Sequence, residues 1–475
     1  MAGELDKRIL SDLRAGKSSE EITESYLSEG MPSEEIDNAL ENALEKYQST
    51  KDSSNKRNRR IILSKEILDK IAFGFSNHQV VNIIFYLIGA PFLLIGIITG
   101  LRNLFSTGTS LVISDVAEKK DFSKKFISSA GIIFGFSFVF LALATAREWL
   151  WLFSLAVLAG SIAVVPYGNL YKRIIQQTIS KQRMGFVLAK IASVGTILTA
   201  LTIYLGAWIL DNFPFEGRTI GSGKLLFSVT GYVLIFEITA ICFILSGYLL
   251  SKLKETDSGL KKKWKSFWSE KAAELKESMH EMSSIPYMSI LLFGSVLVSA
   301  IQIVTSTFYG IYIFDMFGKL FLPVATVFAV GIIVSFAGPM ITKKVNKAIG
   351  LAPMMVFGSI LVTFMPLTLL YNKELGSISA AFALAIIGSS IVGLGQALIT
   401  RKLLSETQKK KFFRMAGYLS LIPVLIIVLI GAIVAQLYGL DVLFMGAIIA
   451  TLVLVTPTYF LLVIKANKLA KERRL

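Results

Sequence analysis

The sequence predicts an all-α membrane protein, with twelve transmembrane helices in two six-helix repeats and a small soluble helical unit at the N-terminus. Three observations predict it. Of 475 residues, 53% are hydrophobic and 17% charged, whereas a soluble domain is about a quarter charged. From residue 71 onward, apolar runs alternate with short polar breaks, and about 20 apolar residues suffice to cross a bilayer as a helix. Lys and Arg segregate into every second break, as expected when cations are retained on one side of a membrane.

Residues 1–48 carry twelve acidic and five basic side chains. The phrases from Gly16 to Ile22 and from Gly30 to Ile36 repeat a turn-then-helix theme. Ser18 with Glu21, and Ser33 with the nearby Glu35, supply capping residues. Three short packed helices are expected, loosely resembling ubiquitin-associated-type bundles, as a docking or regulatory appendage with a protein partner as an open alternative. Residues 49–66 read as a basic linker, with Lys56, Arg57, Arg59 and Arg60 marking the cytoplasmic side. The first 60 residues contain no apolar core, so no signal peptide is expected.

The twelve expected spans fall at 67–88, 91–114, 126–146, 149–171, 186–210 and 225–250, then 287–313, 320–342, 351–371, 378–400, 415–438 and 441–465. They make an N-terminal bundle over 67–250 and a C-terminal bundle over 287–465. Gly89-Ala90-Pro91 separates the first two spans as a tight turn. Lys119, Lys120, Lys124 and Lys125 lie in one break, Lys172, Arg173, Lys181 and Arg183 in another, and Lys343, Lys344 and Lys347 in a third. The alternate breaks hold almost no cations. An even number of spans with both termini cytoplasmic follows, in the cell membrane. The connector 251–286 places Trp264, Phe267, Trp268, Leu275, Met279 and Met282 at helical spacing, which predicts an amphipathic helix lying on lipid. A basic tail occupies 466–475.

Composition also excludes several chemistries. A single Cys (Cys242) leaves no disulfide framework, Cys-rich zinc site or iron–sulfur cluster, and two His (His78, His280) argue against a histidine-rich metal site. No cofactor is expected. No Gly-rich phosphate loop follows a strand, and no nucleophile–base pair stands out in the polar segments. The chain therefore reads as neither an enzyme nor its own ATP-driven pump. Its net charge of +16 sits between apolar runs, which speaks for topology and against a nucleic-acid partner.

Internal repetition supports two halves. Phe85-Tyr86-Leu87-Ile88-Gly89 closes span 1 and Phe314-Asp315-Met316-Phe317-Gly318 closes span 7, 229 residues apart. Arg183-Met184-Gly185 and Arg414-Met415-Ala416-Gly417 are similarly placed, 231 apart. Two landmarks nearly 100 residues apart share almost one offset, the mark of parallel repeats. After span 2, Asp115 is followed by Lys119 and Lys120. This resembles the acidic-then-basic signature of the major facilitator superfamily of secondary transporters, although Leu111 and Glu118 stand where that signature has glycines. In the second half Gly338 fits the first position and Thr342 replaces the acid.

That resemblance, over residues 67–465, implies alternating access by two rocking bundles, a central cavity lined by spans 1, 4, 7 and 10, and a cytoplasmic gate at Asp115, Lys119 and Lys120. It implies a small-molecule solute as partner, beside membrane lipids. Span 4 lacks the buried Arg of many proton-coupled members, and span 5 lacks the Gly-Pro pattern of many drug/proton antiporters.

Charged and polar groups inside spans are costly unless they serve a purpose, so they nominate the site. His78 and Asn82 share a face of span 1, and Arg102 lies halfway along span 2. Gln302 and Tyr309 belong to a polar centre in span 7. These five are the expected cargo contacts. Arg102 would attract an anionic group, bond helix carbonyls or pair with Glu237. Glu237 and His78 are the candidate proton carriers, with a structural pair as the alternative for Glu237. A transport-inactive receptor or scaffold signalling through residues 1–48 is the rival to the transporter.

Overall fold

The computed structural model describes residues 5, 8–12, 19–29, 31–119, 124–178, 181–213, 218–220, 227–253 and 288–472. Residues 8–12, the helix Ser19–Ser28 and the start of a long helix, Ser33–Phe75, pack Ile9, Ile22, Tyr26, Ile36, Ala39 and Ala43 into a small core. Tyr26 donates to Asp12 Oδ2 at 3.1 Å. The long helix passes without a break through 49–66, the segment expected as a linker. Its sequence explains this, because between Ser33 and Ala72 there is neither Gly nor Pro to stop it.

Span 1 is discontinuous. The long helix ends at Phe75, and a second, His78–Leu87, starts after Ser76 and Asn77. The Asn77 side chain caps that second helix, accepting from Gln79 N at 3.0 Å, a position where Asn is favoured. The single uninterrupted span expected over 67–88 is therefore replaced by two pieces meeting at Ser76-Asn77. The remaining spans are 2 (Phe92–Lys119), 3 (Lys124–Ala146), 4 (Leu150–Thr178), 5 (Lys181–Asn212), 6 (Gly231–Ser251), 7 (Met288–Met316) and 8 (Phe321–Ile349). Span 9 is Leu351–Val362 with Phe364–Tyr371, and spans 10 and 11 are Leu375–Leu403 and Glu406–Tyr438. Span 12 runs from Leu440 to Glu472 with a π-helical turn at Thr451–Val455. Among the described residues, eleven helices are long and apolar enough to cross a membrane, and the broken span 1 is the twelfth crossing. A short hairpin, β1 (Arg218–Ile220) and β2 (Phe227–Val229), joins spans 5 and 6 and was not anticipated.

The two repeats share backbone detail. Gly89 and Gly318 both take positive φ, 96° and 72°. In each turn the following amide bonds five residues back, Ala90 N to Phe85 O at 3.1 Å and Lys319 N to Phe314 O at 2.8 Å. These are equivalent helix ends, 229 residues apart, closed by the same left-handed cap.

Small residues let helices approach. A Cβ added at Gly247 of span 6 would lie 2.9 Å from Ile132 N and 3.0 Å from Ser128 O of span 3. Ser128 Oγ donates to Gly247 O at 2.7 Å across the same crossing. In the second half, a Cβ at Gly388 of span 10 would lie 2.6 Å from Gly358 O of span 9. Such packing serves where water cannot drive association. The outer surface exposes large apolar side chains such as Trp151, Ile197 and Leu201, which suits a lipid surround.

The halves meet along three seams, spans 1 with 7, 2 with 11, and 5 with 8. With an even number of crossings, the start of the long helix and the end of span 12 at Glu472 fall on one face, the termini face. The segment carrying the expected amphipathic helix, and Lys120, lie outside the described residues.

Candidate functional site

A cavity of about 950 Å³ lies between the halves. Its walls come from spans 1 to 4 and 7 to 10, and it surrounds the break in span 1. Arg102 marks its depth, since ten residues from the start of span 2 is about 15 Å at 1.5 Å per residue, half the thickness of a hydrocarbon core.

His78 begins the second piece of span 1 and is exposed within the cavity wall. The Gln79 amide lies 2.7 Å from His78 Nε2. Gln79 itself is 1% exposed and ties the halves together, donating to Ser306 O at 2.6 Å and accepting from Gly310 N at 3.0 Å. Asn82 donates to Thr307 O at 3.0 Å, one turn further along. It is buried and does not line the cavity. The expectation of a cargo contact at Asn82 is therefore corrected: its amide is committed to the span 7 backbone. Gln79 plays the same locking part and was not singled out, although its place one turn before Asn82 at the polar centre of span 1 was the available signal.

Arg102 faces the cavity and also a side recess of about 300 Å³ shared with His78, Thr99, Asn103, Ser106 and Ser306. Gln302 lines the cavity and donates to Ser389 Oγ of span 10 at 2.8 Å. Tyr309 lines the cavity too, its ring 5.5 Å from that of Phe444. Phe134, Phe138, Phe328 and Phe382 make up much of the apolar wall.

Glu237 is elsewhere. It is exposed on span 6 in a stripe with Ile241, Leu245 and Tyr248, and it does not line the cavity. The expected pairing with Arg102 or His78 is therefore not formed, and Glu237, a candidate proton carrier, stands apart from the cavity. Span 6 is apolar on every side, so sequence periodicity could not tell which face turned inward. Asp115 and Lys119 lie in the final turns of span 2, on the termini face, with their side chains outside the described set, and Lys120 falls outside the described residues.

Away from the termini face the halves are sealed. Asp211, at the end of span 5, accepts from Phe321 N at 2.7 Å and Leu322 N at 3.0 Å, capping span 8 of the other half. Gln436 Oε1 accepts from Leu93 N at 3.3 Å. Tyr232 meets Phe321 edge-on at 5.9 Å, and Phe92 meets Phe308 at 5.8 Å.

A buried charged cluster was missed by sequence reading. Lys65 Nζ lies 2.6 Å from Asp69 Oδ2 and 3.4 Å from the centre of the Tyr171 ring. Asp69 Oδ1 accepts from Tyr167 at 2.5 Å and from Ser246 at 2.6 Å. It joins spans 1, 4 and 6 near the termini face. Its signal was the pair of opposite charges four apart at the entrance to an apolar run.

Comparison with known proteins finds no matching family model and no matching curated protein. Solved structures do match. A mutant form of the nucleoside transporter NupG superposes with a TM-score of 0.67 at 12% identity, covering 85% of this chain and 99% of that one. A bacterial homologue of the iron transporter ferroportin, in an inward-facing state, gives 0.60 at 13% identity over 85% and 98%. A bacterial homologue of the human lysosomal transporter Spinster, inward-facing and unoccupied, gives 0.56 at 15% identity over 86% and 96%. At these identities the likeness is one of fold.

Proposed function

We propose that this chain, which has the fold of the major facilitator superfamily, is a secondary transporter that moves a small solute by alternating access. The observation that carries the reading is the cavity of about 950 Å³ between two repeated bundles, at mid-membrane depth and sealed on the face away from the termini. A site at the repeat interface, beside a discontinuous helix, suits a transporter that rocks about its cargo. The solved neighbours carry different cargoes in their names, so they assign none here.

With the Lys- and Arg-rich breaks on the cytoplasmic side of the cell membrane, the sealed face is external and the conformation is inward-facing. The end of span 2 that carries Asp115 and Lys119 then lies at the cytoplasmic end, where these two residues, with the neighbouring Lys120 of the sequence, would lock the opposite conformer. His78, Arg102, Gln302 and Tyr309 are the cargo contacts of this reading, and Asn82 holds span 1 to span 7. No Asp, Glu or Lys lines the cavity among the described residues, so proton carriage by a cavity carboxylate forms no part of it.

The test is uptake and efflux by purified protein in liposomes, using a pooled metabolite library with and without a proton gradient. Movement of at least one compound, lost in Arg102→Gln, supports the reading. Folded protein that moves nothing supports a receptor or scaffold acting through residues 1–48 instead.

A further inference from the structure

The geometry points to an amphiphilic organic anion as the ligand of the central cavity, its negatively charged head in the recess at Arg102 and its apolar body against the aromatic wall. The inference deepens the transporter reading and rests on it only for the statement that the ligand is cargo.

Two independent features converge. The first is charge. Among the described residues, the ionisable side chains lining the cavity are Arg102 and His78, apart from the phenol of Tyr309. No carboxylate pairs with Arg102 among the described residues, the buried ion pairs of the first half being those of Lys65 with Glu66 and Asp69. A guanidinium held at mid-membrane depth without a counter-charge is costly. An anion that reaches it recovers part of that cost, through charge-assisted hydrogen bonds that can be bidentate. A cationic cargo would find nothing to pair with and would be repelled.

The second is the division of the cavity into unlike parts. The recess of about 300 Å³ brings Arg102 and His78 beside the polar groups of Thr99, Asn103, Ser106 and Ser306. This set offers a cation and the Asn103 side chain in a compartment sized for a head group, while the Ser106 and Ser306 hydroxyls donate to Asn103 O and Ile303 O of their own helices at 3.2 Å. The main chamber opens from it onto Phe134, Phe138, Phe328 and Phe382, with Phe328 and Phe382 in edge contact at 4.9 Å. A chamber so walled favours aromatic or aliphatic bodies. An inorganic anion would leave the aromatic chamber unfilled, and a neutral apolar molecule would leave Arg102 unpaired.

Carboxylate and phosphate heads share this chemistry, and the experiment separates them. Purified full-length protein in nanodiscs is titrated with 2-naphthoate, 2-naphthyl phosphate, 2-naphthylmethylamine and 2-methoxynaphthalene, and binding is read by equilibrium dialysis. At least one of the two anions is expected to bind more than tenfold tighter than both the amine and the neutral ether. Arg102→Gln should weaken anion binding by roughly 10- to 100-fold, the loss of one charged hydrogen-bonding group. Arg102→Lys should retain part of it, and Glu237→Gln should leave it unchanged. Melting curves identify the folded variants, and if Arg102→Gln does not fold, the comparison passes to Arg102→Lys and to Ser306→Ala in the recess. Amine binding equal to or tighter than anion binding overturns the inference. So does the failure of both anions to bind, or anion binding indifferent to every recess variant. A separate uptake measurement keeps the two readings apart. An anion bound but not moved leaves the ligand class standing and defeats the transporter, whereas transport of cations through the same cavity does the reverse.

Discussion

Lys65 and Asp69 illustrate how much one residue pair can hold in place. Both are nearly fully buried, and Asp69 also accepts from Tyr167 and Ser246. Removing one member leaves its partner charged and unpaired, which costs about 3–5 kcal/mol, whereas replacing both by apolar residues is often neutral. Asp69→Ala should therefore lower the melting temperature strongly, and Lys65→Met/Asp69→Leu should recover most of the loss, because Tyr167 and Ser246 already lie 2.7 Å apart and can bond each other. A double mutant no more stable than Asp69→Ala would show that the charge pair is not the source. Gly310 makes a second case. A Cβ there would meet Gln79 Oε1 at 2.7 Å and Gln79 Cβ at 3.0 Å. Gly310→Ala should destabilise by about 1–3 kcal/mol, the usual cost of overpacking, and loosen the tie between spans 1 and 7. Chemical unfolding in detergent checks the first effect, and faster hydrogen exchange at Gln79 and Ser306 checks the second.

At the scale of the element, the informative features are a broken helix and a close crossing. Span 1 stops in mid-membrane because Ser76 and Asn77 turn their polar groups to the backbone. Ser76 Oγ donates to Ala72 O at 2.7 Å, and Asn77 caps the second piece. Asn77→Ala should cost about 1 kcal/mol, as lost caps do. Asn77→Ser or Asn77→Asp should keep the cap, so a melting series across the three variants separates capping from side-chain volume. The crossing of spans 3 and 6 tolerates no side chain at Gly247, where a Cβ would meet the backbone of Ile132 and Ser128 at 2.9 and 3.0 Å, atoms that cannot yield. Gly247→Val should abolish folded protein, as size-exclusion profiles of detergent extracts would show, while Gly446, with nothing within 4 Å, should accept Ala freely.

For the whole molecule, the seal between the halves decides which face the cavity meets. Asp211 makes two hydrogen bonds to the first amides of span 8 in the other half, which have no partner within that helix, a helix N-terminus that favours negative charge. Bonds to a charged group are each worth about 1.5–3 kcal/mol. Asp211→Ala should therefore shift the population toward conformers open on the face away from the termini, by at least about tenfold. Spin-label distances across that face, measured in nanodiscs, would lengthen. Unchanged distances would mean that the aromatic contacts of Phe321 and Phe308 hold the seal by themselves.

The sequence by itself determined the long apolar helices and the internal repeat, for reasons rooted in solvent. Lipid demands long apolar helices, and equivalent helix ends reuse the same turn, as at Gly89 and Gly318, although the break in span 1 had to come from the fold. It also singled out His78, Arg102, Gln302 and Tyr309, which line the cavity, because polar atoms stand out against an apolar background. Tertiary structure alone decided where such groups point. Lipid and protein interior are both apolar, so span 6 carries no stripe to say that Glu237 faces outward. Likewise Asn82 and Gln79 resemble cargo ligands until span 7 brings its backbone carbonyls within bonding distance. The pair Lys65–Asp69 is legible as opposite charges four apart, but its burial came only when spans 4 and 6 closed over it.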